Sequence, residues 1–127
     1  MMEEKKYLKL NDIDAYKAAF HLSNYVWEVV VKWEWFPQKT VGTQFVTSID
    51  SISANIAEGF GRYHKKDKIK FYRYSQGSLK ESYDWNEKSR KRVLLQEKEY
   101  QHILQELKGI EPAIRRLIKF TDERLKF

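Results

Sequence analysis

A chain of 127 residues with 42% apolar and 15% aromatic residues is long enough to form one domain around one core, despite 33% charged residues. The absence of cysteine excludes disulfides, thiol catalysis and cysteine-ligated metals. The net charge of +6 at pH 7 favours polyanionic partners, although such a charge concerns association and not fold.

The start of the chain bears on its location. Residues 1–6 lack the apolar core of a signal peptide, and no apolar run approaches the roughly 20 residues of a membrane span. We therefore expect a cytoplasmic protein without a membrane partner. Residues 1–10 are charged and irregular, which predicts a loose lead-in before a single domain over residues 11–127.

The first helical pattern begins at Ile13, and its period of 3.6 places Ala19, Ser23, Val26, Val30 and Trp33 on one face. Pro37 is expected to end this helix, because the residue before a proline avoids helical angles. Phe36 would then fill the space beneath the turn. Trp33, Trp35 and Phe36 present more aromatic surface than one helix end needs, so part of it is expected to face a neighbouring subunit.

The second helix is predicted from Val41 to about Phe60, where Gly59 or Gly61 ends it. Its apolar stripe is Phe45, Ile49, Ile52, Ile56 and Phe60. A second stripe, of mostly short polar residues, runs beside it and consists of Ser48, Ser51, Asn55 and Glu58. Short hydrogen-bonding residues next to an apolar seam predict that another helix packs closely here.

The third helix is predicted from Lys66 or Asp67 to Lys88 or Arg90. Gly77 lies in its interior, where glycine costs about 1 kcal/mol relative to alanine. The expected compensation is the close approach of a neighbouring helix.

The fourth helix is predicted to begin near Gln96, with an apolar seam of Tyr100, Ile103, Leu107, Ile110, Ile114 and Leu117. Pro112 falls inside this seam without changing its phase, which predicts a kink and not a break. Four amphipathic helices joined by short turns predict an all-α, antiparallel up-down-up-down four-helix bundle.

Residues that could carry catalysis are few. His21, His64 and His102 fall on separate elements, and no pair has metal-ligand spacing. The Gly59-Phe60-Gly61 segment follows a helix and lacks the Lys-Ser/Thr of a phosphate-binding loop. We therefore expect a protein that is not an enzyme and uses no cofactor or metal.

A polar cluster is predicted between the second and third helices, comprising Ser51, Asn55, Glu58, Ser78 and Glu81. Its two carboxylates could share a proton or hold a cation, which would allow a hydrolytic or cation-dependent activity. The favoured interpretation is structural, with hydrogen bonds that set the register of the two helices.

A basic set is the leading candidate for a nucleic-acid surface. It consists of Arg62, Lys65, Lys66, Lys70 and Arg73, together with Arg90, Lys91 and Arg92 at the other end of the third helix. Lys68 lies among them, and Tyr63, Tyr72 and Tyr74 are interleaved with the first group. Cations would contact phosphates and tyrosine rings could stack on unpaired bases. The alternative is a charged face that is only solvated.

The segment Ser51-Ile52-Ser53-Ala54-Asn55-Ile56-Ala57-Glu58-Gly59 resembles the S-I-P-A-N-I-A-E-G signature of the four-helix-bundle proteins encoded in 23S ribosomal RNA intervening sequences. That family is similar to the accessory variability proteins of diversity-generating retroelements. Three further features agree with it, namely Phe36-Pro37, Gln44 and Gly77-Ser78-Leu79-x-Glu81.

The resemblance implies a four-helix bundle that assembles into a homopentamer, with RNA or DNA and a reverse transcriptase or other protein as partners. It implies no established activity. The chain departs from the family at Ser53, where the signature has proline, and at Val46 and Thr47, where an Arg-Arg pair is usual. Asp50 stands where the family tends to be apolar. If the Arg-Arg pair forms a polyanion surface in the family, this chain has lost part of it.

These observations predict a non-enzymatic oligomeric bundle that presents a basic surface to RNA or DNA, directly or as an accessory to a nucleic-acid enzyme. The alternative is a protein–protein interaction scaffold that does not bind nucleic acid itself.

Overall fold

The computed structural model of the protein describes residues 9–126. They form four long helices, α1 (Asp14–Val30), α2 (Thr43–Gly61), α3 (Lys65–Lys91) and α4 (Glu97–Arg124). No strand occurs within the described residues, so the prediction of an all-α four-helix fold is confirmed. A short 3₁₀ turn, Leu10–Asp12, precedes α1, and most of the predicted lead-in lies outside the described residues.

Each helix packs on two others. Helix α2 contacts α1 and α3, and α4 contacts α3 and α1. Ser75 Oγ donates to the Ile52 carbonyl (2.7 Å), and the Ser82 and Ser48 hydroxyls are hydrogen-bonded at 3.1 Å. Residue numbers therefore rise along α3 as they fall along α2. The serines allow the two backbones to approach closely while their hydroxyl groups stay hydrogen-bonded.

The predicted apolar seams form the core. Phe45, Ile49, Ile52 and Ile56 of α2 are completely buried, and so are the seam residues Ile103, Leu107, Ile110 and Ile114 of α4. Each such side chain contributes roughly 1.5–3 kcal/mol to folding through its removal from water. The helical period alone located this core, because the spacing of apolar residues sets which side of a helix is buried.

The connection between α1 and α2 differs from the prediction. Helix α1 ends at Val30, and Pro37 lies in a helical turn, Trp35–Pro37, that continues through a π-helical turn, Gln38–Gly42, into α2. The prediction that Pro37 ends the first helix is wrong, because proline is tolerated in the first turn of a helix, where its missing N–H is not needed. Phe36 does not fill the turn either, since its side chain is 66% exposed.

Helix α4 begins with a capping box, in which the Glu99 carboxylate accepts a hydrogen bond from the Gln96 backbone N–H (2.8 Å). The helix then runs without interruption through Pro112 to Arg124. The proline therefore does not break the helix. The kink itself stays a prediction.

Helix α3 ends in a Schellman motif. The Leu94 N–H donates to the Ser89 carbonyl (2.8 Å) and the Val93 N–H donates to the Arg90 carbonyl (3.0 Å). Val93 occupies the left-handed position of this motif, with φ of 59°, where a β-branched residue is strained. Its side chain is 85% exposed, so packing does not offset the strain.

Val93→Gly is expected to stabilise the protein by about 1 kcal/mol, because glycine adopts positive φ without the Cβ clash, although its unfolded chain is more flexible. Urea denaturation followed by circular dichroism measures the change. Val93→Ala is the control, because it keeps a Cβ at the left-handed position and should recover little of this gain. Equal stability of the valine and glycine proteins would contradict the prediction.

Candidate nucleic-acid interface

The predicted basic residues lie at the two ends of α3 and do not form one surface. Arg62 to Arg73 surround its beginning, and Arg90 to Arg92 surround its end. The helix has 27 residues, which corresponds to about 40 Å at 1.5 Å per residue. A short nucleic-acid segment therefore cannot contact both groups at once, and the two groups are separate candidate surfaces.

Three of the predicted cations are already paired with acids. Arg62 forms an ion pair with Glu58 (2.8 Å), and Arg90 forms one with Glu97 (3.2 Å). Lys65 Nζ donates to the Asp122 carbonyl (3.1 Å) and lies 3.6 Å from its carboxylate. Exposed pairs of this kind contribute little to stability, but they reduce the positive charge that a phosphate would meet.

Lys68 is directed toward the protein. Its Nζ donates to the Phe60 carbonyl at the end of α2 (2.7 Å), and partial burial lowers the pKa of this lysine. The bond joins the end of α2 to the first turn of α3. Lys68 therefore has a structural role and is not part of the exposed basic surface.

The other five predicted cations are exposed, and their side chains make no ion pair or hydrogen bond within residues 9–126. They are Lys66, Lys70 and Arg73 at the beginning of α3, and Lys91 and Arg92 at its end. Such cations are the groups that can neutralise phosphates and release counterions.

Arg73 faces a groove between α3 and α4. The groove has a volume of about 520 Å³ and is lined by Ile69, Arg73, Gln76, Arg115, Ile118, Lys119 and Asp122. We call Arg73, Arg115 and Lys119 the α3–α4 basic groove. Lys66 lies seven residues before Arg73 and hence on the same side of α3.

Arg115 and Lys119 were not among the sequence-predicted residues. Their spacing of four places both on one exposed face of α4, and that spacing is the signal that could have found them. Arg115 lies 3.9 Å from Glu111, a weak contact, because Glu111 is bonded more closely to Lys80 (2.9 Å). The hydrogen bond from Lys80 lowers the pKa of Glu111, which keeps this carboxylate ionised.

Two of the three interleaved tyrosines are available for stacking. Tyr63 is 80% exposed and Tyr74 is 51% exposed, whereas Tyr72 is buried in the core. Burial raises the pKa of Tyr72 to about 12. The prediction that Tyr72 could stack on a base is therefore wrong, because the helical period turns it toward the interior.

The predicted polar cluster does not form across α2 and α3. Ser51 Oγ donates to the Thr47 carbonyl (2.7 Å), and Asn55 Nδ2 donates to the Ser51 carbonyl (2.9 Å), both within α2. Glu58 pairs with Arg62, and Glu81 accepts a bond from Trp85 Nε1 (3.0 Å) within α3. Ser78 makes no side-chain hydrogen bond with the others in the part of the chain that the structure describes.

The cross-helix bonds come from other serines, Ser48, Ser75 and Ser82, which are buried between the helices. The rotation of α2 about its axis places Ser48 toward α3 and leaves Glu58 exposed. Glu81 is exposed as well. Two exposed carboxylates, each bonded within its own part of the chain, do not form a site that shares a proton or holds a cation.

Gly77 also differs from its prediction. Within residues 9–126, a Cβ at Gly77 would meet no atom within 4 Å apart from its own helix backbone, so no other helix approaches this position. The close approach occurs at Gly59 instead, where a Cβ would lie 2.7 Å from Tyr72 Cε1 and 2.9 Å from the Lys68 carbonyl oxygen.

Over residues 9–126, no three His, Asp or Glu side chains are grouped so that they could hold a metal ion. None of the helices in this range combines the length and apolar character that crossing a membrane requires.

Comparison with known proteins agrees with the fold and with the signature segment. The model of the 23S rRNA-intervening sequence protein family matches residues 11–116. A crystal structure of a protein of unknown function from the S23 ribosomal protein family of Bacteroides thetaiotaomicron is similar to this chain, with a TM-score of 0.76 and 18% identity. The similarity covers 87% of this chain and 99% of that one.

No curated protein matches the sequence significantly. The similarity to accessory variability proteins of retroelements is not tested by these matches and stays a prediction. The family match spans most of the chain, including the Ser51–Gly59 signature and three of the four helices in full. The chain therefore belongs to the 23S rRNA-intervening sequence protein family.

Proposed function

We propose that this protein is a non-enzymatic bundle that binds RNA or DNA through the α3–α4 basic groove, either by itself or as an accessory to a nucleic-acid enzyme such as a reverse transcriptase. The observation that carries the proposal is the groove between Arg73 on one helix and Arg115 and Lys119 on the next. Lys66 and Lys70 extend the same end of the molecule with further exposed cations.

The chemistry of this surface suits a flexible polyanion. Arginine and lysine contact phosphates without reading the bases, so binding is expected to tolerate any sequence. The exposed rings of Tyr63 and Tyr74 could stack on unpaired bases. We therefore expect single strands to bind at least as well as duplexes.

Self-association is part of the proposal, with a homopentamer expected from the family resemblance. Phe36 supports it, because this exposed ring borders an apolar groove of about 710 Å³ that Trp85 and Leu94 also line. Several copies would place several basic grooves on one assembly and increase the avidity for a long strand.

The test is the affinity for single-stranded and duplex RNA of mixed sequence across a salt series. Three groove cations and the neighbouring lysines predict that log K falls linearly with log salt, with a slope of about −0.7 per phosphate contacted in a single strand. A flat response, or no binding at about 50 mM salt, would exclude nucleic acid as the ligand of this surface.

The alternative function is a protein–protein scaffold whose charge serves solubility. The pairing of Arg62, Lys65 and Arg90 with acids favours it, because paired cations attract phosphates less. A scaffold predicts that the purified protein carries a protein partner and no nucleic acid, which the ratio of absorbance at 260 and 280 nm would reveal.

A further inference from the structure

A second surface of the molecule is aromatic and lies between α1 and α2. Tyr16, Phe20 and Trp27 of α1 face Asp50 and Ala54 of α2 across a groove of about 340 Å³. Phe20 is 46% exposed and Trp27 is 55% exposed. Exposed aromatic residues that adjoin one another commonly mark an interaction site.

The groove continues past Trp27. An adjoining groove of about 540 Å³ shares Trp27 and is lined by Val31, Trp35 and Val46, among others. We call the whole surface, from Tyr16 of α1 to Val31 directly after it, with Val46 and Asp50 on α2, the α1–α2 groove. Its length along α1 is about 22 Å at 1.5 Å per residue, which matches four turns of a helix laid in the groove.

Asp50 sets the charge that the occupant must have. Among residues 9–126, it is the only charged residue that lines the part of the groove around Phe20. Ser23 Oγ donates to one of its carboxylate oxygens, and the other accepts no hydrogen bond within residues 9–126. An exposed carboxylate between aromatic rings attracts an arginine or lysine, both by charge and through the ring faces.

Lys39 adds a positive charge at the far end of the groove, where its Nζ lies 4.8 Å from the centroid of the Trp35 ring. It does not line the part around Phe20, where Asp50 lies. Nucleic acid is a poor occupant, because Asp50 would repel its phosphates.

We propose that the α1–α2 groove binds an amphipathic helix of another protein, which places an arginine or lysine against Asp50 and apolar residues against Trp27 and Val46. A second copy of the chain is less suited to this role. Each of the four helices in residues 9–126 already packs its main apolar face in the bundle's own core, so a second copy would have to dock through a mostly polar helix face.

The inference does not depend on nucleic-acid binding. The basic groove is formed by α3 and α4, whereas this groove is formed by α1 and α2. The basic groove carries three cations beside Asp122, whereas the part of the α1–α2 groove around Phe20 carries Asp50, so one molecule could hold a polyanion and a basic protein segment at the same time.

The test uses a fluorescein-labelled synthetic helix of about 18 leucines and lysines, with leucines at steps of three and four, and a counterpart with glutamate in place of lysine. Fluorescence anisotropy at physiological salt measures binding to the full chain. The leucine–lysine peptide is expected to bind at least about tenfold more tightly than the leucine–glutamate peptide.

Variants locate the binding. Trp27→Ala should weaken binding about tenfold or more, as the loss of an aromatic anchor does. Asp50→Asn keeps an acceptor for Ser23 and should weaken binding about threefold to fivefold. Glu28→Gln is the matched control, because it neutralises an exposed carboxylate of α1 that does not line the groove, and it should have no effect.

Several results would overturn the inference. The groove is not the site if the two peptides bind with equal affinity. The same conclusion holds if Trp27→Ala and Asp50→Asn both bind the leucine–lysine peptide as tightly as the unmodified protein does. A change in sedimented mass in either variant would identify a second copy as the occupant. RNA affinity should be the same in both variants, and its loss would place nucleic acid in this groove. Failure of the unmodified protein to bind RNA would contradict only the nucleic-acid proposal.

Discussion

Gly59→Ala is expected to destabilise the bundle by about 2–3 kcal/mol, the cost of forcing extra volume into a packed contact. The new Cβ would lie 2.7 Å from a ring carbon of Tyr72 and 2.9 Å from the backbone oxygen of Lys68. Tyr72 is only 2% exposed and a backbone oxygen cannot move alone, so the end of α2 would have to shift away from α3.

Gly77→Ala is the matched control and should have the opposite sign. Its Cβ would meet no atom within 4 Å, so the higher helix propensity of alanine should stabilise the protein by up to about 1 kcal/mol. Urea denaturation of both variants measures the two effects. Gly59 is therefore expected to be needed for packing, whereas Gly77 is expected only to lower the helix propensity of α3. A destabilising Gly77→Ala that depends on protein concentration would show that another subunit contacts this position.

The second large effect is expected at the α3–α4 basic groove. Replacing Arg73, Arg115 and Lys119 with alanine should lower the affinity for single-stranded RNA about 10-fold to 100-fold at low salt, and should make the salt slope less steep by about 2. The reason is that three phosphate contacts are lost together. Fluorescence anisotropy with a labelled RNA of mixed sequence, repeated across a salt series, measures both quantities.

The control is a triple alanine variant of Arg90, Lys91 and Arg92. It removes the same charge from the other end of α3, about 40 Å away along the helix, and should change RNA affinity much less. If the two variants lose affinity equally, the interaction depends on net charge and not on the groove. If only the control loses affinity, the binding surface lies at the other end of α3.

The apolar stripes and the glycines Gly59 and Gly77 show how far the sequence could predict this structure. The buried stripe from Phe45 to Ile56 and the seam of α4 were predicted correctly, because the period of apolar residues is a local property. Gly77 was predicted to meet a helix and does not. Gly59 or Gly61 was predicted to end α2, and the helix ends at Gly61 without a left-handed glycine, whereas Gly59 packs against Tyr72. Nothing local distinguishes these cases.

The basic residues of the candidate site could be predicted only in part from the sequence. Cations at the two ends of α3 could be listed from the sequence, but their pairing could not, because Lys65 meets Asp122 and Arg90 meets Glu97 only in the folded chain. Arg115 and Lys119 joined Arg73 through the packing of α4 on α3. Phe36 was expected inside a turn, but Trp35–Pro37 forms a helical turn that leaves the ring exposed.

The sequence by itself determined the helices, the core and the family, because helical period and a contiguous signature are both properties of neighbouring residues. The tertiary structure alone decided which serines bond across α2 and α3, which glycine permits a close contact and which cations share a groove. These outcomes depend on the rotation of each helix about its axis relative to its neighbour, and that rotation results from the packing of all four helices together.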